Sequence, residues 1–230
     1  MSEQRIFETQ DGSHSIFSEE FGVSYHSKYG AVQETQHVFI DAALRFKAVL
    51  KKEISILEIG FGTGLNALMT YLEARKRNLN LTYTTVEAYP ISLAQAKALN
   101  YNEVLKVKEQ EAAIFEQLHS ISWNETTVVN ENFTFKKCKL LFEELHFDTQ
   151  FDIIYFDAFA PNAQPKLWEL PLMQKMYNAL LPEGILTTYC AKGEVKRTMK
   201  AVGFEVERLK GPPGKREMTR AIKPTVNEAS

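Results

Sequence analysis

Residues 54–69 read ISILEIGFGTGLNALM. A short β-branched run, Ile54 to Ile59, breaks into glycines at alternate positions, Gly60, Gly62 and Gly64, and a helical pattern, LNALMTYLEARKRN, follows at once. Strand, glycine turn and helix in that order are the setting that a nucleotide-cofactor loop requires. Glycine removes the side chain where a ligand must approach the backbone, and the start of the next helix offers free N–H groups. The residues from Gly62 to Ala67 also fit the G-x-G-x-x-A variant of the dinucleotide fingerprint, so the glycines alone do not choose the cofactor.

Outward from this stretch the chain alternates. LTYTTVEAY reads as a second strand, and ISLAQAKALN as a helix entered after Pro90. A further helix lies around EQEAAIFEQLH. FTFKKCKLLFEEL is a strand running into a short helix, and FDIIYFD is the fourth strand. LWELPLMQKMYNALL is a helix, PEG a turn into the strand ILTTYC, and EVKRTMKAVG another helix. The end pairs FEVERLK with KREMTRAI across the turn GPPG. Strands alternating with helices predict an α/β fold, a doubly wound and mostly parallel sheet with an antiparallel C-terminal pair. Upstream, residues 5–18 have the turn QDGS between two strand-like runs, and Val38, Ala42, Leu44, Phe46 and Val49 keep roughly helical spacing. Residues 1–50 therefore form a hairpin and helix extension ahead of a main unit over 51–230.

Bulk properties narrow the classes. At 230 residues and 44% hydrophobic content the chain has enough apolar material for a substantial core. No run approaches a membrane span and the N-terminus lacks a secretory pattern, so a cytoplasmic protein with no membrane partner is expected. Cys138 and Cys190 have neither CxxC spacing nor paired histidines, which predicts reduced thiols and no metal. The formal charge is −2, but residues 192–223 hold ten basic side chains against four acids. That segment is a candidate surface for a polyanion, or simply a solvated face.

Glu58 turns the glycine loop into E-x-G-x-G-x-G, the form that resembles class I S-adenosylmethionine-dependent methyltransferases. An acid suits a sulfonium and an ammonium group, whereas beside a pyrophosphate it repels. A nicotinamide dinucleotide is the alternative. Glu87 ends the second strand 23 residues beyond Gly64, where both cofactor classes place an acid on the ribose hydroxyls. By the same resemblance Glu143 or Glu144 lies near the adenine, unless it only serves the helix dipole. The candidate cofactor residues are Glu58, Gly60, Gly62, Gly64, Asn66, Glu87 and Glu143.

FDIIYFDAFAPNAQPKLW, residues 151–168, ends a buried-looking strand in an acid. In a doubly wound sheet this strand lies beside the glycine-loop strand and opens onto the same crevice, so Asp157 faces the ligand. A carboxylate there can orient an amine and favour loss of its proton. Phe159 can stack on a flat substrate, with Pro161 and Pro165 stiffening the loop. The structural alternative is that Asp157 caps a turn and Phe159 is core.

These stretches, with GILTTYCAKGEVKRTMKAVGFEVERLKGPPGKREM and the early YHSKYGAVQETQHVFI, together resemble the methyltransferase half of the MnmC family of tRNA 5-methylaminomethyl-2-thiouridine synthesis enzymes. Gln164 departs from the family pattern, which has Asn before the proline. The resemblance implies S-adenosyl-L-methionine as donor, S-adenosylhomocysteine as product, and methylation of a 5-aminomethyl group on wobble (2-thio)uridine of tRNA. It implies Asp157 as the catalytic residue and leaves no room for the flavin-dependent oxidase half, so no flavin is expected and a separate oxidase would act upstream. Lys210, Lys215, Arg216 and Arg220 are then phosphate contacts, with Tyr25 and Lys28 bracketing the nucleotide. A small-molecule amine methyltransferase, a nicotinamide-dependent oxidoreductase and a silent RNA-binding module are the competing functions.

Overall fold

Residues 5–19 and 21–225 are described by a computed structural model of the chain. The first strands, β1 (Arg5–Glu8), β2 (His14–Ser18) and β3 (Val23–Ser24), form a small antiparallel sheet of their own. Glu8 pairs with His14 across the expected turn. That turn also starts the next element. Oδ2 of Asp11 accepts from the Gln33 N–H at 2.9 Å and the Ser13 hydroxyl from the Ala31 N–H at 3.1 Å. Both satisfy N–H groups that a helix leaves free at its first turn. The helix so capped, α1 (residues 31–48), is wound as a π helix over Gln36–Arg45.

The main sheet follows as β4 (Glu53–Ile59), α2 (Leu65–Arg77), β5 (Asn80–Glu87), α3 (Leu93–Lys97), α4 (Tyr101–Val104), α5 (Ile114–Ser120), β6 (Thr126–Asn130), β7 (Phe133–Lys139), β8 (Phe151–Phe156), α6 (Leu170–Ala179), β9 (Leu180–Thr188), α7 (Gly193–Ala201), β10 (Glu205–Lys210) and β11 (Glu217–Ile222). Its order is β10-β11-β9-β8-β4-β5-β7-β6. The five strands β9, β8, β4, β5 and β7 are parallel, β11 runs against them between β9 and β10, and β6 closes the far edge antiparallel to β7.

Alternation along each strand divides the core into two layers. Ile54, Ile56, Tyr83, Phe135, Ile153 and Tyr155 pack under α1, α2 and α5 through Phe39, Leu44, Leu68 and Phe115. Leu57, Ile59, Val86, Ile154, Phe156 and Leu186 pack on the other face under α6 and α7 through Met173, Met176, Val195 and Met199. Among the described residues no helix is long and apolar enough to cross a membrane.

The structure corrects several element boundaries. β6 was not foreseen: it is a short edge strand whose Val128 is 70% exposed, so it lacks a buried face to set a pattern. LWELPLMQKMYNALL is not one helix, because Pro165–Trp168 forms a separate 3-10 turn and Glu169 is extended before α6 begins. PEG lies inside β9, at an irregularity in its pairing with β8, and not ahead of the strand. The segment after β7 makes only a 3-10 turn, Phe142–Glu144.

Candidate active site

Every parallel strand ends on the same rim, and the ends of β4 and β8 are adjacent. The Asp157 N–H donates to the Ile59 carbonyl at 3.0 Å, directly before the glycine turn. Gly60 has φ +94°, and a Cβ there would lie 2.9 Å from the Asp157 carbonyl oxygen. A Cβ on Gly62, at φ +50°, would lie 2.9 Å from the Tyr25 ring. The turn is thus pressed between the acid-bearing loop and the N-terminal segment, and only a residue without a side chain fits. Glu87, 8% exposed at the end of β5, pins it from the third side. Its carboxylate accepts the Gly62 N–H at 2.9 Å and the Tyr89 N–H at 2.8 Å. Lone pairs remain for further donors, since a carboxylate accepts about four hydrogen bonds.

A cavity of about 150 Å³ opens above the rim. Gly60, Gly62, Asn66, Glu87 and Glu143 line it together with Tyr25, Asp157 and Phe159. Of the two acids after β7 it is Glu143 that faces the cavity, while Glu144 accepts the Leu141 N–H at 2.9 Å as a local cap. One wall is aromatic. Phe159 meets Tyr25 edge-on with ring centroids 5.1 Å apart, Phe21 lies 5.2 Å from Phe159, and Tyr89 lies 5.6 Å from Phe21. The loop that carries Phe159 is anchored by Trp168, whose indole N–H donates to the Phe159 carbonyl at 2.8 Å while its ring packs on Phe156. That is why a tryptophan follows the proline-containing loop.

Asp157 is half-buried. Nδ2 of Asn66, in the first turn of α2, donates to its Oδ2 at 2.8 Å, and the Thr35 hydroxyl donates to Oδ1 of Asn66 at 2.8 Å. Burial first, then the charge of Glu34, push the Asp157 carboxyl up to about 7, against the pull of Asn66 and Lys215. A group titrating there exchanges protons readily at neutral pH. His26 also lines the cavity, and burial takes its imidazole down to about 4, so it stands neutral.

Other candidates fall elsewhere. Glu58 does not line the cavity: it shares the face of β4 with Ile54 and Ile56 and is 0% exposed. No donor reaches either of its oxygens at hydrogen-bond distance, although Thr85, Asn66 and Tyr83 are its polar neighbours, and burial pushes it up to about 8. Gly64 caps α2 behind the turn, packed against His119. Pro161 is buried away from the cavity, and Lys28 and Arg216 are exposed outside it. Lys215 is no free phosphate contact, because its ammonium is paired with Glu34 and lies 3.9 Å from the centroid of the Tyr189 ring. Arg220 is likewise held, by Glu207 and the Ala42 carbonyl. Sequence reasoning missed Phe21, His26 and Glu34. His26 and Glu34 sit in the polar and aromatic run that already held Tyr25, and Phe21 lies just ahead of it. Among the described residues no group of three acids, histidines or cysteines is placed to hold a metal.

Comparison with known proteins adds to this geometry. The sequence model of a family described as S-adenosyl-L-methionine-dependent methyltransferase matches residues 100–224. The chain is 30% identical over 209 residues to the tRNA 5-methylaminomethyl-2-thiouridine biosynthesis bifunctional protein MnmC of Hydrogenovibrio crunogenus, covering 84% of this chain and 30% of that protein. It is 28% identical over 215 residues to the protein of the same name from Methylobacillus flagellatus, covering 88% and 33%. The chain therefore spans about a third of the length of these curated relatives. Among solved structures it is similar to the crystal structure of MNMC2 from Aquifex aeolicus, with a TM-score of 0.78 at 24% identity, over 96% of this chain and 70% of that one.

Proposed function

The chain belongs to the S-adenosyl-L-methionine-dependent methyltransferase family and has its class I, Rossmann-like fold, and from that premise we propose that it methylates the amine of 5-aminomethyl (2-thio)uridine at the wobble position of tRNA. The observation that carries this reading is the meeting of Asp157 with the glycine turn in one cavity. The residues fit the cofactor. Gly60 and Gly62 bring bare backbone to the cavity where a Cβ would clash with Asp157 or Tyr25, Glu87 keeps lone pairs that would suit a ribose diol, and Glu143, lining the same cavity, would meet the adenine. Glu58, being buried, serves the strand and not the ligand. When bound, S-adenosyl-L-methionine supplies an electrophilic methyl group on a sulfonium.

The chain's own residues supply position and proton handling. A primary alkylamine with a lysine-like pKa of about 10.4 arrives as an ammonium, its lone pair occupied by a proton. Asp157 accepts a hydrogen bond from that ammonium and takes its proton, and Asn66 holds the carboxylate in place. Tyr25 and Phe159 offer ring faces and edges to the uracil, which suits a base swung out of its stack. Lys28 is exposed beside the Tyr29 ring, which packs on Gly214 of the β10–β11 turn, and Arg216 is exposed on the same turn. They are the phosphate contacts on this reading. On this reading the amine is made upstream by a flavin-dependent oxidase activity, in the cytoplasm where tRNA is modified.

The test uses tRNA carrying 5-aminomethyluridine and labelled donor. Wild type transfers the label, and Asp157→Asn lowers kcat roughly 10²-fold or more while S-adenosylhomocysteine still raises the melting temperature. Loss of both together makes Asp157 a merely structural acid and removes the reading.

A further inference from the structure

The ion pair between Glu34 and Lys215 joins the two ends of the chain beside the cleft. Glu34 on α1 is 7% exposed; its carboxylate takes the Ser27 N–H at 2.9 Å and pairs with the ammonium of Lys215. Lys215 comes from the other end of the chain, on the turn between β10 and β11, and rests over the Tyr189 ring. The Tyr189 hydroxyl donates to the Ala158 carbonyl at 2.8 Å, one residue past Asp157. A largely buried ion pair adds little to stability on balance, because desolvation offsets the attraction, so its placement here invites a functional reason. Both charges are felt at Asp157 with opposite sign: Glu34 raises its affinity for a proton and Lys215 lowers it.

We infer that Glu34 and Lys215 are positioning residues that act through Asp157, an acid from the N-terminal helix and a cation from the C-terminal hairpin whose opposed charges beside the Asp157 loop ready the carboxylate for proton removal from the substrate amine. The inference rests on the proposed reading of the cleft. The other groups around Asp157 give no such two-sided control. Asn66 on α2 is a neutral donor, and His26 in the N-terminal segment is neutral. Glu58 on β4 is mostly protonated at pH 7, and burial raises the Tyr189 phenol at the end of β9 well out of range. Glu87 at the end of β5 is tied to backbone N–H groups, and Tyr25 packs on Phe159.

The two halves of the pair must then act in opposite directions. In the full-length protein without cofactor, the ¹³C-carboxyl signal of Asp157, assigned by its loss in Asp157→Asn, gives the titration midpoint directly. Glu34→Gln moves that midpoint down and Lys215→Met moves it up, by about one pH unit each. Lys215→Arg leaves it near wild type, and the acidic limb of kcat/KM for methyl transfer shifts in the same directions. If Lys215→Met fails to fold, the double variant Glu34→Gln/Lys215→Met removes both charges and returns the midpoint toward wild type. Midpoints that stay fixed, or move the same way in both single variants, overturn the inference whatever the substrate. Opposed midpoints in a wild-type protein that transfers nothing to 5-aminomethyluridine tRNA support the electrostatic role and overturn the substrate instead.

Discussion

Glu58 pairs in register with Tyr155, two residues before Asp157 on the adjacent strand, so the two acids differ by their depth along the sheet. Asp157 reaches the cavity with a fixed donor, whereas Glu58 lies deeper in the layer beneath α1 and α2 with no partner at hydrogen-bond distance. A buried carboxyl without donors holds its proton, and its folded-state value of about 8 lies above the ordinary 4.5. Raised in the fold, the group binds more protons folded than unfolded between those values, so its contribution to stability falls as pH rises through that window. Glu58→Gln removes the titration. Denaturant unfolding should show the variant gaining on wild type steadily from pH 5 to pH 8, by on the order of a few kcal/mol at the upper end. A difference independent of pH would contradict the burial account.

At the scale of elements, the loop between β8 and α6 carries Asp157 and Phe159 and is tied by the Trp168 indole and the Tyr189 hydroxyl. Trp168→Phe keeps a ring against Phe156 but removes the donor to the Phe159 carbonyl. It should cost about 1 kcal/mol, which a thermal melt would register, and should raise KM for tRNA more than it lowers kcat. No change in either would show that the loop is held by other contacts. This element also shows what the sequence makes legible. The glycine turn and the acid at the end of β8 were readable because strand, turn and helix punctuate the chain locally and a parallel sheet brings its carboxyl ends to one rim. β6 and the break before α6 were not. One is an edge strand with no buried face, and the other depends on how Pro165 and Trp168 pack in three dimensions.

At the scale of the whole molecule, the two ends of the chain meet next to the residues that line the cleft. Lys215 and Glu34 are 181 residues apart in sequence and joined in space, and Tyr29 lies against Gly214. No local pattern encodes such a meeting, and Lys215, read from the sequence as a phosphate contact, is found paired with Glu34. Lys28, Lys210 and Arg216, exposed and outside the ion pairs of the described residues, remain to meet a polyanion. Charge reversal at these positions should weaken tRNA binding and lower the slope of log affinity against log salt by about one per lost contact. An unchanged slope would point to a small-molecule amine substrate. The central claim is that Asp157 removes the proton from an amine held beside the glycine turn, and single-turnover methyl transfer with nucleoside mass analysis tests it most directly. Wild type should convert 5-aminomethyluridine in tRNA to its methylamino form, and Asp157→Asn, still binding S-adenosylhomocysteine, should not; conversion by the variant at the wild-type rate would contradict it.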